Sequence, residues 1–442
     1  MLAAVGCQPT EKPIAPATTK PETPPRVLVV DDAELAEAIA TTYRATFEAE
    51  LEIKHATRDE VAVAKRLPAD VVVFPAPLLG DLAGGERLSR LPEDAWNDAE
   101  WARDDLFDEV RKRELVWGRN PIGVSLGHPQ LTLWRRGEGA PPETWTAWAE
   151  ELGRRERSEE GPAPVIVPLA SGEAWLSLLT IAAGYVAARD QISTLFELRT
   201  MEPRIDRPPF VRALTELKTL ARSQQPPFAV AADSARNHFL RGQASAALTW
   251  PGGKPVDNGQ PFTVHPLPGV KETYRWSDNT WQPTEDGQTL RVPLIGATGI
   301  LAAVTADAKR PKQAARVLTW LSGKEASGRI AGPHSGLTLF RTSQVAAPQR
   351  WVGAEFSPSA AQRYAEIVRD AQTGSLALFV PRLPRWREYT AALDTAVQQA
   401  VIEDADPQAT LTAAADEWRK ITAEVGVNLQ RRGNERALNF AD

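Results

Sequence analysis

From residue 26 onward the chain alternates short apolar runs with longer segments whose apolar positions recur every three or four residues. Arg26-Val-Leu-Val-Val30 is a β-branched run suited to a buried parallel strand. Leu35, Ile39, Tyr43 and Phe47 then fall at four-residue steps, the stripe of a helix. Asp31 with Glu34 has the spacing of a capping box, and Asp32 is the alternative cap. Leu51 to Ile53 and Ala69 to Phe74 predict a second and third strand, so the chain opens β-α-β, the start of an open sheet with helices on both faces. A region rich in Trp and acids through Trp96, Trp101 and Phe107 reads as helical.

Gly118 to Arg136 breaks this rhythm. Pro121 fixes one φ and removes a donor, glycines at 118, 123 and 127 widen the backbone choice, and Leu131 to Trp134 alternates like a strand. The passage predicts a rigid but bendable crossing from one lobe into another. Beyond it, Thr144 can cap a helix carrying Trp145, Trp148 and Leu152, and Pro209 to Leu217 makes another amphipathic helix. A helix begun near Pro311 ends at Gly323. Tyr389, Leu393, Val397 and Val401 form one stripe, and Asp406-Pro407 starts a last helix stopped by Gly426.

The chain has 442 residues, 43% hydrophobic and 24% charged, enough for two or three domains. A net charge of -6 gives no electrostatic footprint for nucleic acid, which is not an expected partner. No apolar run approaches the roughly 20 residues that span a bilayer. The one cysteine, Cys7, follows Ala4-Val5-Gly6. That stretch resembles the lipobox of bacterial lipoproteins, departing from it at Ala4, where those proteins usually carry Leu. Pro9, Pro13, Pro16, Pro21, Pro24 and Pro25 follow among Thr and Lys, a composition suited to an extended tether.

Catalytic and metal signatures are sparse. His55, His128, His238, His265 and His334 are scattered, with no HExxH, and there is no GxSxG, P-loop or GxGxxG. The string Val-Leu-Val-Val-Asp31-Asp32 resembles the opening of response-regulator receiver domains, but the third strand ends in Phe74-Pro75-Ala76-Pro77 and lacks the acceptor aspartate. Helix capping explains the acidic pair more simply.

Several segments taken together resemble the extracellular solute-binding proteins of ABC importers, in the branch with maltose-binding protein. They are the opening strand and helix, Ala69-Asp-Val-Val-Val, a Leu-Gly-Asp-Leu turn, the Pro-x-Gly crossing and Pro-Pro-x-Thr-Trp. Phe239 to Gly242 with Ala244 to Gly252, Phe262 to Gly269 and Arg291 to Val304 extend the likeness over roughly residues 26 to 426, and Lys271 to Leu290 departs from it as an inserted loop or hairpin. The resemblance implies an α/β, two-lobed periplasmic-binding-protein-like fold of type II. Each lobe would be an open, mostly parallel sheet flanked by helices, the two joined by hinge crossings. On it we expect a tether at 1–25, a first lobe of 26–124 plus 292–345, a second of 125–291 plus 346–430, and a tail at 431–442.

It also implies a non-enzymatic receptor without a cofactor. Lipid-anchored at Cys7 in the periplasm or on the cell surface, it would hand a sugar-like ligand to the permease. A sensor lipoprotein and a carboxylate enzyme on the same fold are the alternatives. Ligands of open α/β sheets lie beyond the carboxyl ends of the strands. That rule selects Asp32, Pro75, Ala76, Pro77, Leu78, Thr298 and Gly299 from the first lobe, Ser125 from the crossing, and Glu173, Trp175, Trp250, Trp386 and Tyr389 from the second. Trp175 and Tyr389 also fit helix stripes. Arg341 could grip an anionic group or serve a surface or interlobe ion pair.

Overall fold

The computed structural model describes residues 24–154, 161–188, 191, 193–224, 229–252, 260–332 and 337–439. Cys7, most of the tether and His334 lie outside the described residues. Among the described residues no helix is long and apolar enough to cross a membrane.

The first lobe is organised by a five-stranded sheet in the order Ile53–Ala56, Val27–Val30, Val71–Pro75, Ile300–Val304, Gly123–Gly127. Val27–Val30 is parallel to both neighbours, whereas Ile300–Val304 is antiparallel to both of its own. All four residues of Val27–Val30 are buried, as the β-branched run requires. Helix Ala33–Phe47 then covers the sheet through Leu35 and Ile39. Asp32 is its cap, accepting from Leu35 N at 2.8 Å, while Asp31 turns away to accept from Arg58 N at 2.6 Å and Nε at 2.8 Å. The Trp-rich stretch forms only short turns, Glu93–Trp96, Arg103–Asp105 and Val110–Glu114, in place of a continuous helix. Its aromatics are anchored by tertiary contacts instead: Trp101 donates its indole N–H to Ser322 Oγ.

The second lobe carries a three-stranded sheet with Thr132–Arg135 between Ala246–Thr249 and Thr263–His265. Both pairings are antiparallel, and parallel geometry in this lobe is confined, among the described residues, to the bridges Thr144–Gly269, Ala163–Ala244 and Ile166–Ala247 and the short pairing of Leu294–Ile295 with Leu378–Phe379. The expected mostly parallel sheet therefore holds for the opening strands of the first lobe and not for the three-stranded sheet of the second, where the strand arriving from the first lobe runs against the two that flank it. Helix Ala174–Val186 is buried on every residue and forms the axis of this lobe. Helices Pro208–Arg222 and Trp386–Val401 pack against it, and Pro407–Val425 packs on those two. Thr144 Oγ1 accepts from Ala147 N at 3.2 Å, and Asp406 accepts from Ala409 N at 2.8 Å, so both predicted caps form. Residues 272–283 make the hairpin Glu272–Arg275 with Thr280–Pro283.

The chain crosses between lobes more than once. Gly123–Gly127 belongs to the first sheet and Thr132–Arg135 to the second, so the first passage is 128–131. Leu294–Ile295 pairs with Leu378–Phe379, and the first sheet is rejoined at Ile300, so the return occupies 296–299. The two passages touch: Thr298 Oγ1 donates to Pro129 O at 2.7 Å, and a Cβ on Gly299 would overlap that of His128. Helix Pro358–Thr373 lies across the back of both lobes. Phe356, just before it, packs edge-on against Trp134 of the second sheet at 4.9 Å, while Tyr364 OH meets Thr338 Oγ1 at 3.0 Å. Helix Val427–Ala437 runs through position 430 and returns to the first lobe, where Gly118 N donates to Arg436 O at 2.8 Å.

Candidate functional site

Between the lobes lies a cleft of about 770 Å³. From the first lobe it takes Asp31 and Asp32 after the first strand, Pro75, Pro77 and Leu78 after the third, and Arg58. The passages contribute Pro129 and Thr298 to Ile300. The second lobe supplies Ser171 to Glu173, Trp175, Leu176, Trp250 and one face of helix Trp386–Val401.

Asp32, Pro75, Pro77, Leu78, Glu173, Trp175, Trp250, Thr298 and Gly299 thus lie where the strand-end rule put them. Five other residues do not line the cleft. Ala76 is buried and holds the return passage through its N–H, which donates to Gly299 O at 2.9 Å. Ser125 Oγ is buried in the first sheet and accepts from Gly127 N at 3.0 Å. Arg341 is fully buried within the first lobe, donating to Ser322 O and Ala102 O with Asp105 at 3.7 Å; burial pulls its pKa down to about 10. It neither faces a ligand nor joins the lobes. Trp386 and Tyr389 are core residues stacked on each other at 5.8 Å, and Tyr389 OH is engaged by Thr422 Oγ1 at 2.8 Å.

The face of helix Trp386–Val401 that does line the cleft carries Arg387, Thr390, Ala391, Asp394, Thr395 and Gln398. Sequence reasoning passed over these residues, although their spacing of three and four is a polar stripe as regular as the apolar one beside it.

The electrostatics of the cleft are largely settled within the protein. Asp394 Oδ1 accepts from Trp175 N at 2.7 Å and Oδ2 from Gly172 N, so the carboxylate caps helix Ala174–Val186 from a neighbouring helix. An exposed helix N-terminus attracts anions, and here a side chain occupies that place. Glu173 Oε2 accepts from Ala232 N at 2.7 Å. Burial raises the pKa of both acids against these hydrogen bonds, and for Glu173 the nearby Asp233 and Asp394 raise it further. Arg58 is paired with Asp31 at 2.8 Å, and Arg387 reaches across the mouth to Asp59 of the first lobe. The indole N–H groups also turn inward. Trp250 Nε1 donates to Asp233 Oδ1 at 2.9 Å and Trp175 Nε1 to Gly172 O at 2.9 Å, so both rings offer the cleft apolar surface.

The raised pKa of Asp394 has a measurable consequence. The folded chain holds that proton more tightly than the unfolded chain, whose aspartates titrate near about 3.9. The contribution is therefore fully present below that value and is lost as pH rises through the folded pKa. The stability advantage of wild type over Asp394→Asn should shrink as pH climbs above about 4 and then level off. Urea unfolding of both proteins from pH 4 to 8 measures this, and a difference independent of pH would contradict it.

No protein-family model matches the chain, and no curated protein does. Solved structures show the fold, which is similar to that of solute-binding proteins of ABC transporters. One similar structure is the ribitol complex of such a protein from Agrobacterium radiobacter K84, with a TM-score of 0.67 at 16% identity over 90% of this chain and 98% of that one. Another is maltose-bound MalE3 of T. maritima, with a TM-score of 0.65 at 15% identity over 90% and 99%. A third is the D-mannitol complex from Agrobacterium vitis S4, with a TM-score of 0.62 at 13% identity over 91% and 99%.

Proposed function

We propose that this chain is an extracytoplasmic receptor of an ABC importer that closes on an uncharged polyhydroxylated molecule, a sugar or polyol, and delivers it to the permease. The observation that carries the proposal is the composition of the cleft. Two tryptophan faces stand opposite strand-end loops, a row of Thr, Asp and Gln side chains supplies hydrogen-bonding groups, and both arginines are already matched by carboxylates. Indole faces suit the C–H side of a sugar ring, and acids and amides suit its hydroxyls. An anionic ligand would find the helix N-terminus filled by Asp394. The solved structures of this fold that hold ribitol, mannitol and maltose agree in ligand type.

In this reading residues 128–131 and 296–299 are hinges, and ligand shifts the open–closed balance only by its extra affinity for the closed form. Cys7 carries the lipid that holds the receptor at the membrane, and no bond is made or broken in the ligand. A thermal-shift panel of ribitol, mannitol, maltose, glutamate and inorganic phosphate tests it. A specific ligand at a hundred times its Kd adds about 2.7 kcal/mol to the native state, so at least one neutral polyol or sugar should raise the melting temperature. A response confined to glutamate or phosphate would defeat the proposal, and turnover of a bound sugar would point to an enzyme.

A further inference from the structure

A second cavity, of about 300 Å³, lies behind the hinge. It is bounded by Gln130 and Leu131 of the first passage, by Arg291 to Pro293 ahead of the return passage, and by the face of helix Pro358–Thr373 that carries Arg363, Ile367 and Ala371. Of these segments, the first passage and helix Pro358–Thr373, which meets both lobes, are the ones the proposed closure would move. A void of about 20 Å³, bordered by Leu131, Pro293, Trp250 and Thr298, shares lining residues with both this cavity and the interlobe cleft. Trp250 and Thr298 also line the cleft itself.

We infer that the rear cavity is an effector site for a small aromatic or aliphatic monoanion, whose occupancy biases the lobes toward one of their two arrangements. The walls set the body of the ligand, since leucine, valine, isoleucine, proline and tryptophan side chains predominate around it. The rim sets its charge. Asp370 is met by Arg369 at 2.7 Å and Arg363 meets Glu366 at 3.3 Å, whereas Arg291 gives one N–H to Leu267 O at 3.1 Å and makes no ion pair among the described residues. Arg291 and Arg363 therefore stand with Asp370 around a mostly apolar hollow, and Arg291, with Glu143 near enough to feel its charge, is the rim cation without a contact ion pair among the described residues. A carboxylate or sulfonate can lie against Arg291 while its ring or chain fills the space below. A molecule wedged between helix Pro358–Thr373 and the first passage acts on the hinge directly, because Gln372 of that helix is hydrogen-bonded to His128 of the passage.

The inference rests on the hinge motion of the proposed function but not on the identity of the cleft ligand, and its test needs no sugar. The probe is 8-anilinonaphthalene-1-sulfonate, an aromatic monoanion that fluoresces in apolar surroundings. Wild type should bind one equivalent, and the bound probe should change the small-angle scattering curve of the otherwise ligand-free protein. Ala371→Trp, which fills the cavity, should abolish the bound fluorescence and by itself shift the scattering. Arg291→Glu, a change at the exposed rim, should weaken the probe at least tenfold while the free protein still unfolds cooperatively. Equal binding by wild type and Arg291→Glu, or stoichiometric binding with superimposable scattering curves, would overturn the inference. If the probe behaves as expected and no polyol or sugar binds, the hinge site stands and the ligand reading falls; if a polyol binds and the probe does not couple, the reverse holds. Where a polyol does bind, probe and polyol must change each other's affinity by the same factor.

Discussion

Replacing Trp250 by alanine should weaken ligand binding about 30-fold, a loss of about 2 kcal/mol for one well-packed aromatic anchor. The ring lines the cleft, while its N–H is tied to Asp233, so the truncation removes apolar contact area and frees one acceptor outside the ligand's reach. Trp250→Phe keeps a face and should lose less. The informative comparison is Trp386→Ala, because Trp386 is fully buried between Tyr389 and Trp418 and lies outside the cleft. That change opens a cavity and should cost about 3–5 kcal/mol of stability. Calorimetric titration and urea unfolding on the two variants separate the effects. If Trp250→Ala bound a confirmed ligand as tightly as wild type, the placement of ligand against that ring would fail.

Gly299→Val should be the most damaging single change at the hinge. Gly299 has φ of 104°, a region that side chains rarely adopt, and an added Cβ would overlap the His128 Cβ on the opposing passage. Backbone strain and overpacking each cost about 1–3 kcal/mol, so a loss of about 3 kcal/mol or more is expected. Because the two passages touch here, the variant should also alter closure. Its scattering curve with saturating ligand should differ from that of the liganded wild type. A variant of native stability that closes normally would show that the close approach at 299 has no mechanical role.

Much of the fold was legible because its elements declare themselves locally. Val27–Val30 reads as a buried strand from four apolar residues, and Asp406-Pro407 with Gly426 marks both ends of the last long helix. The failures have a common form. Trp96, Trp101 and Phe107 suggest a helix from composition, but the burial of Trp101 and Phe107 comes from contacts such as that of Trp101 with Ser322, 221 residues away in sequence. Arg341 reads from the sequence as an anion grip or as a surface or interlobe ion pair, since nothing in its neighbours along the chain reveals that Ser322 O, Ala102 O and Asp105 surround it.

Helix Trp386–Val401 shows where the boundary falls. Its periodicity marks Tyr389, Leu393, Val397 and Val401 as one apolar stripe, and all four are buried. It could not state which face meets the cleft. The aromatic side, with Trp386 and Tyr389, packs against Trp418, while Asp394 and Thr390 on the other side line the site.

The sequence by itself determined the α/β alternation, the caps and the strand ends that would bear the site, because propensity, capping and amphipathic period are set within a few residues. Only the tertiary structure decided which polar stripe the second lobe presents, that Asp394 fills a helix N-terminus and that the hinge passages touch at Gly299. Those facts depend on residues hundreds of positions apart meeting in space, such as Asp32, Trp250 and Asp394 around one cleft, and no local pattern records them.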